Sequence, residues 1–377
     1  MVAILLVNLA CLELVARVLT RGFLRDRGLT YVGDFPGDEP FREYLAERDP
    51  KLGWPALGSR KPSIDSLGSR INTHFPDVAT PACASVYGDS FTYSSEVGDR
   101  EAWPNHLSGL LGCRVNNFGV GGYGTDQAYL RMREARGDAV PLQILAHASI
   151  DIVRNLIPFD AFRGGHRLGW KPRFRLDPAG DLVLDPLPEF ESMAEWESVY
   201  RDPTEHFEDV WLLPGTEHGL PMAGPPYLLA LVRALRSWEM RTFFDPAHVY
   251  YEALYEPDHP SQALPLTEAI LRSFCAEAEN RGSRCLVVLI PVARDLLAHA
   301  QTGRMPYHRL HARLLARGVP VLDAAEGLLP AIADAGGDHC SYYRRTWYAK
   351  GGCTGHFNSQ GYALVAESVA QRIRANR

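Results

Sequence analysis

Lysine is nearly missing from this sequence. Among 377 residues it occurs only at positions 51, 61, 171 and 350, so arginine carries almost all the positive charge. The formal net charge is -6. A chain with no basic surplus is a poor match to a phosphate backbone, which argues against a nucleic-acid partner. The seven cysteines show no CxxC spacing, so the usual zinc patterns are excluded, and no metal or cofactor is expected. "GYGTDQ" lacks the lysine of a Walker motif and is not a phosphate loop. No internal repeat or low-complexity tract is present. A clean apolar run of roughly 18 residues, the span of a bilayer, is missing too.

What the N-terminus does contain is twelve apolar residues that then meet Glu13 and Arg17. It lacks the basic opening of a signal peptide. Three readings stay open for residues 1–25: a shortened membrane anchor, an interfacial helix, or a helix packed on the body of the protein. Because the run opens the chain, membrane association is favoured, with a cell-envelope location preferred over a cytoplasmic one. Arg17, Arg21, Arg25 and Arg27 follow the run, which taken literally argues against export of what comes after. A start further upstream would remove that conflict.

Residues 26–80 are rich in Pro, Gly, Asp and Ser and read as an irregular lead-in. From there a strand-helix rhythm begins. Strands are expected at 83–87, 113–120, 142–150, 283–292 and within 319–328. Helices are expected at 100–112, 124–136, 264–282, 304–318 and 358–377. The run "LQILAHASI" is apolar on both faces, as in a parallel sheet. The rhythm predicts an open α/β sheet with helices on both faces, in a domain over 81–377. It is interrupted at about 158–250 by a long insertion dense in Pro, Trp and Phe. There Trp170, Phe174, Trp196 and Trp211 read as packing residues rather than a sugar-binding platform. Cys83, Cys113, Cys275 and Cys285 sit in or beside apolar runs and read as small buried hydrophobes. Cys340 and Cys353 flank one late loop and would pair in an oxidising compartment. His147, at the end of an apolar strand, reads as a satisfied buried histidine.

In "VYGDSFTYSSEVGD" (86–99) an apolar run breaks at Gly88 and Asp89 and presents Ser90. A serine hydroxyl needs a base to act as a nucleophile, and donors aimed at the developing oxyanion. His356, in "KGGCTGHFNSQG" just before the last helix, is placed to supply the base. The glycine-rich turn "NNFGVGGYGTDQ" (116–127) can aim a backbone N–H at the space above Ser90. Open parallel sheets bind ligands at the carboxyl ends of their strands, where Ser90, Gly122 and Asp151 fall.

"YGDSFTY" resembles block I of the SGNH (GDSL) hydrolase superfamily. "NFGVGGYGTDQ" resembles block II, and "GHFNSQGYALVAESVA" resembles block V. The flanking "RDPKLGW", "SRINTHF" and "KPRFRLD" resemble segments of bacterial members linked to cell-envelope or polysaccharide contexts. The resemblance covers residues 48–377. It implies a flavodoxin-like α/β/α sandwich around a central parallel sheet, and ester hydrolysis or acyl transfer through an acyl-serine. It assigns Ser90 as nucleophile and first oxyanion N–H, Gly122 as the second N–H, and His356 as general base. Asp89 braces the turn. The sequence departs from the pattern at two places. Ile150 stands where block III has an Asn that donates to the oxyanion, leaving Asp151 as its matching residue and Asn155 as a substitute donor. Cys353 stands where block V has its acid. His356 is then oriented by a backbone carbonyl, by Asp338, or by Asp151. The expected function is a serine esterase or O-acyltransferase on small acyl esters, acetyl groups of a glycan among them. The rival is a catalytically weakened module of the same fold that binds glycan or a partner in an envelope assembly.

Overall fold

The computed structural model describes residues 1–54, 63–135, 137–237, 240, 245, 248–345 and 353–375. Outside them lie residues 55–62 of the expected lead-in, most of 238–247 in the expected insertion, and Arg136 at the end of one expected helix. Residues 346–352 before His356 and residues 376–377, the end of the last expected helix, also lie outside. The chain forms two compact units. One comprises residues 1–56, 156–173 and 185–245, the other 57–155, 174–184 and 246–377.

The second unit is built on five parallel strands: β1 (Ala82–Gly88), β2 (Arg114–Gly119), β3 (Leu142–Ala148), β4 (Arg284–Ile290) and β5 (Val321–Asp323). Their order is β2-β1-β3-β4-β5, the doubly wound order of flavodoxin-like sheets. β3 is buried along its whole length and β4 at all but its first residue, which is why these strands read as continuous apolar runs. Helices Thr125–Glu134, Ala263–Asn280 and His308–Ala316 pack together on one side. Trp103–Leu111, Ala325–Asp334 and Ser359–Ala375 pack together on the other. Ala293–Thr302 and Ala325–Asp334 are helices that the rhythm did not pick out.

Composition divides the chain differently from the way it packs. Residues 63–80 are irregular, as expected, but an isolated bridge at Arg70 ties them to β2. Arg70 N donates to Asn117 O at 2.8 Å, and Asn117 N donates to the Ser69 hydroxyl at 2.9 Å, so this segment covers the exposed edge of β2. Arg114, 1% exposed, reaches back from β2 to Asp65 at 2.6 Å and to the Phe75 carbonyl at 2.7 Å.

The other unit joins the first residues of the chain to most of the insertion. Tyr31 exchanges backbone bonds with Pro221 and Ala223. Trp170 stacks on Phe159 with centroids 3.9 Å apart, and Trp196 packs on Phe41 at 4.8 Å. Both tryptophans are buried, and Trp211 is stacked on His218. Phe174 is likewise buried, in the sheet unit beside Tyr129.

Six cysteines are paired, as Cys83–Cys113, Cys275–Cys285 and Cys340–Cys353. The first four are therefore not merely small hydrophobes. Cys83 and Cys113 lie at the starts of neighbouring strands, and Cys275 faces β4 from the helix packed on it, an adjacency that only the fold creates. The N-terminal helix is also longer than its apolar run. Val2–Val18 continues through Leu19–Leu24 and Arg25–Arg27. This stretch, Val2–Arg27, has mean hydropathy 2.2 over its best 18-residue window, so by length and composition it is long enough to cross a membrane.

At the carboxyl end of β1 the backbones approach so closely that only glycine fits. A Cβ on Gly119 would lie 2.1 Å from Tyr93 N and 2.5 Å from Thr92 C, and one on Gly88 would lie 2.8 Å from Ala146 O. Gly119→Ala is expected to cost about 3 kcal/mol, the upper end of overpacking penalties, read as a lowered urea midpoint.

Candidate active site

Ser90 opens a single helical turn, Ser90–Tyr93, directly after β1. The turn is set by Asp89, whose carboxylate accepts from Phe91 N at 2.8 Å. An Asp at this position satisfies an N–H that has no helical partner. Ser90 is buried, at 7% exposure. His356 lies on the strand Cys353–Phe357, which pairs antiparallel with Tyr343–Arg345 just before the terminal helix. Its Nε2 is 2.9 Å from Ser90 Oγ. Two further contacts near His356 help to hold this strand. The Cys340–Cys353 disulfide ties it to the preceding turn, and the Phe91 ring packs on the His356 ring with centroids 4.9 Å apart.

The acid beside His356 is Glu96. Its Oε1 lies 3.6 Å from His356 Nδ1, an ion-pair distance rather than a hydrogen bond, with both side chains partly exposed. Glu96 sits on a loop with left-handed backbone at Ser94 (φ 62°) and Glu96 (φ 73°). Non-glycine residues hold such angles only where their surroundings impose them. Arg70 imposes them here. Its guanidinium donates to the carbonyls of Tyr93, Ser94 and Val97, the last two at 2.8 and 2.7 Å, and pairs with Asp99 at 2.7 Å. One buried arginine thus holds the loop that brings Glu96 to the histidine. The only sequence cue was an acid in a turn six residues after the serine.

The other expected acids are elsewhere. Asp338 pairs with Arg345 and caps Cys340 N at 3.0 Å. Asp151 is fully buried against Arg154, whose Nη1 is 2.5 Å from Asp151 Oδ1 and 2.9 Å from Asp89 Oδ2. Burial and the like charge of Asp89 raise the Asp151 carboxyl well above its usual range, against the pull of Arg154. Asn155 turns away from Ser90. Its amide donates to Thr267 Oγ1 at 3.1 Å and its oxygen accepts from Asp126 N at 3.3 Å. Ile150 faces the cavity beside Ser90, so an apolar side chain occupies the wall where the resemblance places a donor.

The glycine-rich turn does reach the serine. A Cβ on Gly121 would meet the Ser90 Cβ at 4.0 Å, and Gly122 takes φ 83°, a left-handed angle suited to glycine. His147 lies behind the site, bonded to Thr125 Oγ1 at 2.7 Å and Tyr255 OH at 3.0 Å. Burial lowers it to about 3, so it stays neutral.

Ser90 and His356 open on a cavity of about 270 Å³. Phe91, Ile150, Val292 and Leu297 give it apolar walls, and Arg154 and Arg294 bring positive charge. Its floor is braced by Asp295, which accepts from Tyr251 OH at 2.6 Å and Val292 N at 2.8 Å. His339, Cys340 and Cys353 come together at one side, but the two sulfurs are bonded to each other.

Arg154 holds two buried carboxylates at once. Arg154→Met would leave both without their cation, and breaking a buried pair costs about 3–5 kcal/mol. The expected outcome is a drop of that size in urea-unfolding stability, partly restored by adding Asp151→Asn.

No family model matches the chain, and no curated protein does. Solved structures similar to it include a lipolytic protein of the G-D-S-L family from Desulfitobacterium hafniense, 11% identical, with a TM-score of 0.36, covering 77% of this chain and 98% of that one. Another is a member of the lipolytic G-D-S-L family from Veillonella parvula, 13% identical, with a TM-score of 0.34, covering 76% and 96%. A third, described as an acylhydrolase, comes from Bacteroides fragilis and is 13% identical, with a TM-score of 0.34, covering 81% and 94%. These likenesses are loose, and the reading of the site rests on its own residues.

Proposed function

We propose that the protein is a serine ester hydrolase or O-acyltransferase of the SGNH type, acting through an acyl-serine. The observation that carries this is the 2.9 Å contact between His356 Nε2 and Ser90 Oγ at the carboxyl end of β1. In this reading His356 takes the Ser90 proton as Oγ attacks the ester carbonyl. The tetrahedral oxyanion is held by the N–H groups of Ser90 and Gly122. The proton then passes from His356 to the leaving alkoxide, and water or an acceptor hydroxyl releases the acyl group by the reverse sequence. Glu96 orients His356 and stabilises its protonated ring, the part that the resemblance would give to position 353. Asp151 and Asp338 are given no part in this step, since Glu96 is the acid that faces His356 while Asp151 pairs with Arg154 and Asp338 with Arg345.

Ile150 and the outward turn of Asn155 leave the oxyanion one side-chain donor short. Such a loss costs on the order of 100- to 1000-fold in rate, so the enzyme is slow rather than inert. The cavity of about 270 Å³ fits a short acyl group such as acetyl, and an acetylated glycan is the substrate proposed by analogy. Three disulfides and the exposed N-terminal helix support an anchored protein facing an oxidising compartment. The rival reading, a weakened binding module of the same fold, is motivated by Ile150 and by Cys353 at the usual position of the acid.

A fluorophosphonate probe followed by intact-mass detection separates the two. One adduct is expected on the wild type and none on Ser90→Ala, whereas a well-folded wild type that stays unlabelled leaves the binding module as the reading. Glu96→Gln keeps the shape of the loop but removes the charge. It is expected to lower kcat on p-nitrophenyl acetate about 100-fold, the low end of acid-base assistance, with little change in KM.

A further inference from the structure

The N-terminal helix carries its charges where a bilayer would make them costly. Every 18-residue window of Val2–Arg27 contains Glu13, and any window that reaches Arg17 holds both. An unpaired acid or arginine at that depth is expensive, and such groups are kept only with partners at the same depth. Both charges find their partner in one place, the start of the helix Tyr227–Arg236. The Glu13 carboxylate accepts from Tyr227 N at 2.7 Å and Leu228 N at 3.3 Å, capping that helix. The Arg17 guanidinium lies 5.9 Å from the centroid of the Tyr227 ring.

The second helix is built to share that environment. Ala230 and Ala234 are buried, at 5% and 0%, and small residues let helices approach closely in lipid. Ala234 closes a small apolar cluster with Leu24, Leu29 and Met240. The outward positions are apolar as well, with Leu229 46%, Val232 42% and Leu235 54% exposed. Arg233 and Arg236 stand in the last turn, where long side chains can reach headgroups.

We infer that Tyr227–Arg236 is a second membrane element, running alongside the N-terminal helix from the depth of Glu13 toward the headgroups, with Leu229, Val232 and Leu235 among the acyl chains. The partner is the lipid bilayer itself. The inference rests on the anchor reading given under Proposed function. Without lipid, two adjoining apolar surfaces face water; with it, one interface covers both, and the two charges of the anchor are satisfied at its depth.

The full-length chain is reconstituted into phosphatidylcholine–phosphatidylglycerol vesicles with an environment-sensitive fluorophore at one cysteine. Probes are placed at Cys11, and at position 232 in Val232→Cys combined with Cys11→Ser. Bromine on the lipid acyl chains and aqueous iodide are compared as quenchers. Both probes are expected to be quenched several-fold more by brominated lipid than by iodide. If the Cys11 probe follows bromine while the position-232 probe follows iodide, the anchor stands and the second element is overturned. If both follow iodide, the anchor reading falls and takes the inference with it.

Discussion

The site depends on one steric constraint, the lack of room where β1 hands over to the turn at Ser90. Gly119 lets the Thr92–Tyr93 backbone lie against the end of β2, and Gly88 makes room for the Thr92 side chain and the Ala146 carbonyl at the end of β1, at distances that no Cβ permits. Because the turn is pressed into this corner, Ser90 projects from the carboxyl edge of the sheet, where helices and strands diverge and leave space. Asp89 acts on both sides of the corner. It caps the turn through Phe91 N and reaches Arg154 after β3. The serine is thus held by backbone contact below and by an ion pair beside it.

A chain with almost no lysine uses arginine for a task lysine performs poorly. Arg70 gathers three carbonyls and a carboxylate around one planar group. Arg114 does the same for the segment covering β2, and Arg154 joins two carboxylates. A forked guanidinium satisfies several acceptors at fixed angles, whereas an ammonium is a single mobile point. These buried charges are tolerable because each is met by more than one partner. They also carry the geometry outward: Arg70, before the sheet begins, decides where Glu96 stands beside His356.

Much of this was legible in advance, and the misses share a cause. The continuous apolar runs of β1, β3 and β4 read as buried strands, and the helix expected at 100–112 lies at Trp103–Leu111. Ser90 and His356 were legible because each stands at a break between an apolar run and a glycine-rich or helical segment. Glu96 was hidden because its side chain meets His356 only through two left-handed residues imposed by a distant arginine. Asn155 was a plausible donor by spacing, but the helical turn after β3 points it at Thr267. The pairing of Cys83 with Cys113 required knowing that β1 and β2 are neighbours. The apolar N-terminal run was cut short by Glu13 and Arg17 on paper, and only the helix at Tyr227 explains how those charges are carried.

By itself, then, the sequence determined the period of its elements, the parallel character of its sheet, and the order in which Ser90, the glycine turn and His356 arrive. Those properties are local, since they follow from the spacing of apolar side chains and from turn residues a few positions apart. The tertiary structure alone decided which acid faces the histidine, how Cys83, Cys113, Cys275 and Cys285 pair, and which stretches of the insertion join the N-terminal residues. Each of these depends on the distance between side chains far apart in the chain, and that distance exists only after the sheet has been wound and its edges closed.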